Sequence, residues 1–168
     1  FVNFSSSSVY SNKSGAYNEE DLIRPSHNSD CIYGLSKFNS ETLFDFILSK
    51  EEIGVTQLRV PMVYGDRMNS SRIHKMFEKE LKEQNAISVW GNGERVISHI
   101  HVDELTTNIK TILQRKILGV YNVMGESIST KDLAIRIVEE KGNSESKVVK
   151  VDRGSKAKFV LDGSKLNR

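Results

Sequence analysis

The stretch FVNFSSSSVY at residues 1–10 decides the fold, because it joins a short apolar run to a row of four serines. Val2 to Phe4 predict a buried β-strand, and the serines predict a turn at the carboxyl end of that strand. Open α/β sheets bind their ligands at the carboxyl ends of their strands. The stretch therefore predicts an α/β protein with a row of hydroxyl groups at the ligand-binding edge of its sheet.

Helical and strand patterns alternate along the rest of the chain, separated by polar turns. Helices are predicted near residues 29–50, 72–82, 103–116 and 129–140. Strands are predicted near residues 55–60, 87–90, 96–100, 120–123, 148–151 and 159–161. This alternation predicts a largely parallel, doubly wound sheet, because the chain is too short for an eight-unit barrel.

Three local patterns refine this prediction. The polar residues 11–31 predict a long surface loop. Leu43, Phe46 and Ile47 are spaced to give the first helix an apolar face. Asp103 is expected to cap the third helix, and DGSKLNR at the end of the chain is typical of the first turn of another helix.

Composition and charge exclude several classes of function. The 168 residues carry 24 Lys and Arg against 22 Asp and Glu, a formal charge of +2 that argues against a nucleic-acid binder acting through bulk charge. No apolar run is long enough to predict a membrane span. Cys31 is the only cysteine, so no intrachain disulfide is possible, and a cytoplasmic location is expected. The histidines lack metal-ligand spacing, and no metal is predicted.

Tyr33 and Lys37 in YGLSK are four residues apart, which places both side chains on one face of the predicted helix. A phenol has an ordinary pKa of about 10, and a nearby ammonium favours its ionised form. Such a tyrosine can exchange a proton with an alcohol or a ketone during hydride transfer. An exposed tyrosine beside a solvated lysine has the same spacing, so the pair alone leaves both interpretations open.

The ordered motifs resemble the extended short-chain dehydrogenase/reductases, in particular the NAD-dependent epimerase/dehydratase family. The resemblance runs through FVNFSSSSVY, YGLSK, LRVPMVYG, WGNGERVISHIHVDEL, VYNV, STKDLA and DGSKLNR. It implies the C-terminal part of a doubly wound, Rossmann-type parallel sheet plus a small α/β substrate lobe. Residues 1–66 and 96–124 would belong to the NAD(P)-binding domain, and residues 67–95 and 125–168 to the lobe. The glycine-rich N-terminal half of the family is not found in the chain, which is interpreted as an internal fragment.

The resemblance also implies roles for the residues that match the family's motifs. Ser6 corresponds to the catalytic hydroxyl and Tyr33 to the general acid/base. Lys37 corresponds to the residue that binds the nicotinamide ribose, and Tyr33 also lies against the cofactor. Pro61 and Val63 correspond to backbone that contacts the nicotinamide carboxamide. The implied cofactor is NAD, and NADP is not excluded.

Departures from the family pattern bear on the reaction and the substrate. Ser7 and Ser8 stand where 4,6-dehydratases carry two acidic residues, which argues against a dehydratase and gives Ser7 a substrate-binding role. Met62 stands where related epimerases carry a substrate-binding asparagine, and Ile97 where they carry a diphosphate-binding arginine. Arg95, expected on the same strand face as Ile97, and Arg153 are predicted to replace that contact.

The function predicted from the resemblance is an NAD(P)-dependent nucleotide-sugar 4-epimerase that uses Ser-Tyr-Lys chemistry. A keto-sugar reductase is the alternative within the family. A non-catalytic relative that binds a nucleotide or a partner protein is the alternative of another class, and a basic binding face on Arg72, Lys75, Lys79 and Lys82 is a third possibility. A homodimer is expected, with Leu43, Phe44 and Leu48 either in its seam or against the sheet, and the isolated fragment is expected to be inactive.

Overall fold

The computed structural model of the chain describes residues 1–166. Its helices are α1 (Cys31–Lys50), α2 (Ile73–Gln84), α3 (Val102–Arg115) and α4 (Thr130–Lys141). Its strands are β1 (Val2–Ser6), β2 (Gly15–Tyr17), β3 (Thr56–Val60), β4 (Met62–Tyr64), β5 (Ala86–Trp90), β6 (Val96–His101), β7 (Gly119–Asn122), β8 (Glu126–Ser129), β9 (Lys147–Val151) and β10 (Phe159–Leu161).

Parallel pairing dominates the sheets. The main sheet has the order β1-β3-β7, with Ser6 paired to Val60 at the carboxyl end of its first two strands. Strand β3 ends before Pro61, and β4 then joins a second sheet of order β4-β6-β8. Strands β5 and β9 form a separate parallel pair, whereas β6 and β8 pair antiparallel. The predicted α/β fold with a largely parallel, Rossmann-type sheet is confirmed.

Strand β3 shows how the main sheet is covered on both faces. All five of its residues are buried, and their side chains alternate between the two faces. Leu58 and Val60 pack with α3 residues in one apolar cluster. Gln57 and Arg59 point to the opposite face, where they contact helix α1. The sheet therefore presents an apolar face to α3 and a polar face to α1.

Helix α1 has the predicted apolar face, but that face is largely exposed. Leu43, Phe46 and Ile47 do not pack on the sheet, because they are 54%, 61% and 46% exposed. The sheet-facing side of the helix carries Glu41 instead, whose partners are the polar residues of β1 and β3. Phe44 contacts the ring of Phe1 at 4.8 Å between centroids. Hydrophobic spacing alone could not reveal that this helix covers a polar face.

A second apolar cluster lies between α2, α4 and strand β5. It contains Phe77, Leu81, Ile87, Val89, Ile128, Leu133, Ala134 and Ile137. A further cluster joins Val9 and Tyr10, beside the serines, to Leu161 of β10. Contacts between early and late segments thus cross the predicted boundaries, and the division into two domains stays a prediction.

Two further local predictions are corrected, and a third is described only in part. The polar stretch 11–31 is not all loop, since β2 within it pairs with β10. Helix α3 is capped by His101, whose side chain accepts from the Asp103 backbone N–H, and Asp103 lies inside the first turn. The predicted terminal helix lies partly outside the described residues, and residues 164–166 form a turn. Within residues 1–166, no helix has both the length and the apolar character needed to cross a membrane.

Candidate active site

The serine turn, residues Ser5–Ser8, lies at the carboxyl end of β1. Ser5 and Ser6 are buried, and the turn continues into a short 3-10 helix over Ser7–Val9. The Ser6 hydroxyl oxygen accepts from the Ser8 backbone N–H at 3.1 Å. Within residues 1–166 the Ser6 hydroxyl hydrogen has no acceptor. Ser6 can therefore donate a hydrogen bond to an oxygen atom that reaches this edge of the sheet.

Helix α1 brings Tyr33 and Lys37 to the same edge. The Lys37 Nζ atom donates to the Phe4 carbonyl oxygen at 2.8 Å and lies 5.7 Å from the centre of the Tyr33 ring. Tyr33 is 51% exposed, so its hydroxyl is open to a ligand. An ammonium group has three N–H donors. Lys37 uses one of them on Phe4 and keeps the others for a ligand.

Gly34 allows α1 to approach the serine turn closely. A β-carbon at Gly34 would lie 2.1 Å from the Ser8 carbonyl oxygen, so a side chain there would force the helix away. The first turn of the helix therefore rests against the backbone of the turn. The structure thus brings Ser6, Tyr33 and Lys37 together at one strand end, as the sequence analysis expected, although their catalytic roles stay predictions.

Pro61 lies beside this group, and Val63 lies farther along the chain in the second sheet. Pro61 is buried and directly follows Val60, the residue that pairs with Ser6. Val63 pairs with Ile100 and packs against the apolar cluster under α3. The position of Pro61 suits backbone contact with a ligand at the strand ends. The cofactor contacts of Pro61 and Val63 stay predictions.

The predicted substrate residues occupy different surroundings. Ser7 is half-buried within the serine turn. Arg153 stacks on Trp90, with the guanidinium carbon 4.3 Å from the ring centre, and its carbonyl oxygen accepts from the Gly91 N–H at 2.6 Å. Trp90 is 54% exposed and had no predicted role. Its contact with Arg153 spans 63 positions of the sequence, so no local pattern could have shown it.

Arg95 is exposed and lies just before β6, which begins at Val96. Its guanidinium has no hydrogen-bond or ion-pair partner within residues 1–166, while its carbonyl oxygen accepts from Thr130. Ile97, by contrast, lies within β6 and packs against the apolar cluster that contains Ile87 and Val89. The substrate contact of Arg95 stays a prediction.

A histidine cluster (Tyr64, His74, His99 and Glu126) forms a second polar group. The His74 Nε2 and His99 Nδ1 atoms are 3.1 Å apart, and the Tyr64 and His74 rings stack at 4.6 Å. Burial, followed by the nearby His99, lowers the pKa of His74 to about 4. A cavity of about 260 Å³ lies beside the cluster. In the described part of the chain, no three His, Cys, Asp or Glu residues converge as a metal site.

Fold and site together define a Rossmann-type protein with a Ser-Tyr-Lys group at the carboxyl edge of its parallel sheet. The family model described as "NAD dependent epimerase/dehydratase family" matches residues 1–123. The chain belongs to this family, whose description makes NAD its cofactor, and the resemblance stated from the motifs is confirmed.

A curated relative of this chain is about twice as long. The dTDP-glucose 4,6-dehydratase of Streptomyces griseus is 26% identical over 173 residues, an alignment that covers 100% of this chain and 52% of the dehydratase. The chain thus spans about half the length of that relative.

Two of the solved structures with a similar fold are an epimerase and a hypothetical reductase. A UDP-glucuronic acid 4-epimerase from Bacillus cereus, in complex with NAD, aligns with a TM-score of 0.82 and 26% identity, over 99% of this chain and 53% of the epimerase. A hypothetical dTDP-4-dehydrorhamnose reductase from Sulfolobus tokodaii aligns with a TM-score of 0.74 and 26% identity, over 99% and 56%. Dehydratases, epimerases and reductases thus share this fold.

Proposed function

We propose that the protein is an NAD(P)-dependent nucleotide-sugar 4-epimerase whose chemistry depends on Ser6, Tyr33 and Lys37. The observation that carries the proposal is the meeting of the serine turn with Tyr33 and Lys37 at one strand end. The Ser6 hydroxyl and the Lys37 ammonium both have unused donors at that edge. Three polar groups of this kind, open to one ligand, are what alcohol oxidation and ketone reduction require.

The residues at this edge fit a nicotinamide cofactor. The unused N–H donors of Lys37 suit the ribose hydroxyls, and the half-exposed Tyr33 leaves its hydroxyl open beside them. Backbone at Pro61 and Val63 would contact the carboxamide. When bound, NAD(P) supplies the hydride acceptor and donor.

Side chains of the protein then transfer the proton. Tyr33 accepts the proton of the sugar C4 hydroxyl, while Ser6 donates a hydrogen bond that orients the same oxygen. Tyr33 returns the proton when the ketone is reduced from its opposite face, which inverts the configuration at C4.

The composition of the serine turn supports an epimerase over a dehydratase. Loss of water next to a ketone needs an acid and a base beside the reacting carbons. Ser7 and Ser8 offer hydroxyl groups at those positions, and a hydroxyl is a weak acid and a weak base. A keto-sugar reductase is the second candidate, supported by the similarity to the Sulfolobus tokodaii reductase.

A nucleotide sugar labelled with deuterium at C4 separates these functions. The full-length protein is incubated with NAD(P) and C4-deuterated UDP- or dTDP-hexoses. We expect the C4 epimer, with its deuterium retained and no net change in cofactor absorbance. Net oxidation of NAD(P)H with a keto-sugar would instead identify a reductase. Binding of the nucleotide without any conversion would contradict the proposal and favour a non-catalytic relative.

Arg95 and Arg153 are proposed to hold the substrate diphosphate, with Trp90 orienting the guanidinium of Arg153. A charge-assisted arginine–phosphate contact is worth about 1.5–3 kcal/mol, or about 10–100-fold in affinity. We expect Arg95→Ala and Arg153→Ala each to raise KM for a nucleotide sugar about tenfold, with a smaller change in kcat. Lys79→Ala, on the exposed face of α2, is the control. Unchanged KM in both arginine variants would place the diphosphate elsewhere.

A further inference from the structure

One stripe of helix α1 carries more than the two residues of the proposed chemistry. Tyr33, Lys37 and Glu41 follow one another at intervals of four residues, so their side chains share one face of the helix. Tyr33 is half exposed, whereas Glu41 is 3% exposed. The stripe therefore runs from the open edge of the sheet into the buried polar layer under the helix.

Successive residues of β1 hold this stripe. The carbonyl oxygen of Phe4 accepts from Lys37 Nζ at 2.8 Å. The hydroxyl of the next residue, Ser5, donates to the Glu41 carboxylate in a short hydrogen bond. The residue after that is Ser6, the proposed catalytic hydroxyl. Two contacts one helical turn apart thus fix the position of the strand end along the helix.

The carboxylate of Glu41 is itself held rigidly. Arg59 of β3 donates to it twice, from Nε at 3.0 Å and from a terminal nitrogen at 2.8 Å. Arg59 also donates to the Tyr10 hydroxyl at 2.8 Å, and Tyr10 donates to Asn122 at 2.9 Å. Because Arg59 is 4% exposed and donates in several fixed directions, it leaves Glu41 little freedom to move.

We propose that Glu41 is a positioning residue, which sets the distance between the Ser6 hydroxyl and the Tyr33–Lys37 pair through its contacts with Ser5 and Arg59. The proposal rests on the proposed function, since it concerns the spacing of the groups at that same site. Catalysis is sensitive to this spacing, because a displacement of about 1 Å can cost about 100-fold in rate. Glu41 touches no reacting atom and acts only through Ser5, which it contacts directly, and Arg59, which holds its carboxylate.

Asp45, one helical turn beyond Glu41, provides a matched control. Its carboxylate also accepts from a side chain of β3, Gln57, at 2.8 Å. Asp45 is exposed, and within residues 1–166 it makes no contact with the serine turn. Asp45→Asn therefore removes a carboxylate that joins α1 to β3 while leaving the link to Ser5 intact.

The test compares Ser5→Ala, Glu41→Gln and Asp45→Asn in the full-length enzyme, with kcat, KM and the thermal midpoint measured for each. Ser5→Ala removes the hydrogen bond between β1 and Glu41 but keeps the Arg59–Glu41 ion pair. This variant therefore provides the test if Glu41→Gln does not fold. We expect Ser5→Ala to lower kcat about tenfold and Glu41→Gln about 100-fold, with KM changed less than about twofold. Asp45→Asn is expected to keep kcat.

Two outcomes would overturn the inference. The first is a folded Ser5→Ala variant with the kcat of the parent enzyme, whatever its thermal midpoint, because a merely structural role lowers stability without lowering kcat. The second is an equal loss of kcat in Asp45→Asn. An inactive parent protein would instead contradict the proposed function, so the two failures are distinguishable.

Discussion

Two arginine–glutamate pairs, each joined by two hydrogen bonds, lie in different parts of the molecule. Arg59 donates to Glu41 from Nε and one terminal nitrogen, between the main sheet and helix α1, and the two side chains are 5% and 4% exposed. Arg136 donates to Glu126 from both terminal nitrogens, between α4 and β8, and these side chains are 43% and 45% exposed. The chemistry is the same, but water reaches only the second pair.

The neighbours of the two pairs differ in the same way. Around Arg59, the buried hydroxyls of Ser5 and Tyr10 both have hydrogen-bond partners. Glu126 belongs to the histidine cluster, in which the buried His74 Nδ1 atom has no hydrogen-bond partner among residues 1–166. The comparison teaches that burial makes the loss of one partner costly in the first pair, whereas solvent can compensate such a loss in the second.

The largest effect is expected from breaking the buried pair. Arg59→Met leaves the Glu41 carboxylate buried without its cation, which typically costs about 3–5 kcal/mol. Urea unfolding at pH 7 measures the loss. The double variant Arg59→Met/Glu41→Leu removes the uncompensated charge and should recover part of the stability. A loss below about 1 kcal/mol in the single variant would show that this pair behaves like a surface pair.

The second-largest effect is expected from acid, which should destabilise the protein through the histidine cluster. The pKa of His74 lies at about 4 in the folded protein, below the ordinary value of 6.5. The unfolded chain therefore binds more protons between pH 6.5 and pH 4, so stability is full above pH 6.5 and falls as the pH drops toward 4. The loss attributable to His74 is about 2–3 kcal/mol.

Thermal or urea unfolding between pH 7 and pH 4 tests this dependence on His74. His74→Phe keeps a ring to stack on Tyr64 and cannot titrate, so its stability should vary less over this range. The exposed His27 provides the control, since His27→Asn should keep the full slope. Equal slopes in the parent protein and in His74→Phe would contradict the prediction.

The smallest effect is expected from breaking the exposed Arg136–Glu126 pair. Arg136 lowers the pKa of Glu126 to about 2, but water screens a half-exposed pair and keeps its net contribution within about 1 kcal/mol. Arg136→Met should therefore cost at most that amount in urea unfolding at pH 7, and less at high salt. A loss as large as that of Arg59→Met would remove the contrast between the two pairs.

The sequence was enough to predict the elements near the serine turn. An apolar run ends in serines, and the spacing of Tyr33 and Lys37 places both on one helix face, so local patterns and the family's motifs were sufficient there. The strand predicted near residues 55–60 is β3, which ends before Pro61 because proline cannot donate a ladder hydrogen bond.

Contacts between distant residues were beyond those patterns. Residues 11–31 gave no sign of a strand, because the partner of β2 lies near the other end of the chain. His74 and His99 are 25 positions apart and share no ligand spacing, yet they form a buried hydrogen bond. The apolar spacing on α1 predicted an apolar face but not its direction, since the helix turns the Glu41 carboxylate toward the sheet. Tertiary packing decided each of these cases.

The most direct test of the proposed site is the turnover of Tyr33→Phe in the full-length protein. The substitution removes the hydroxyl that exchanges the proton and keeps a ring of the same shape. We expect kcat to fall at least about 100-fold at saturating nucleotide sugar, with folding and NAD(P) binding retained. Turnover within a few-fold of the parent enzyme would contradict the assignment of Tyr33 as the general acid/base, and with it the proposed chemistry.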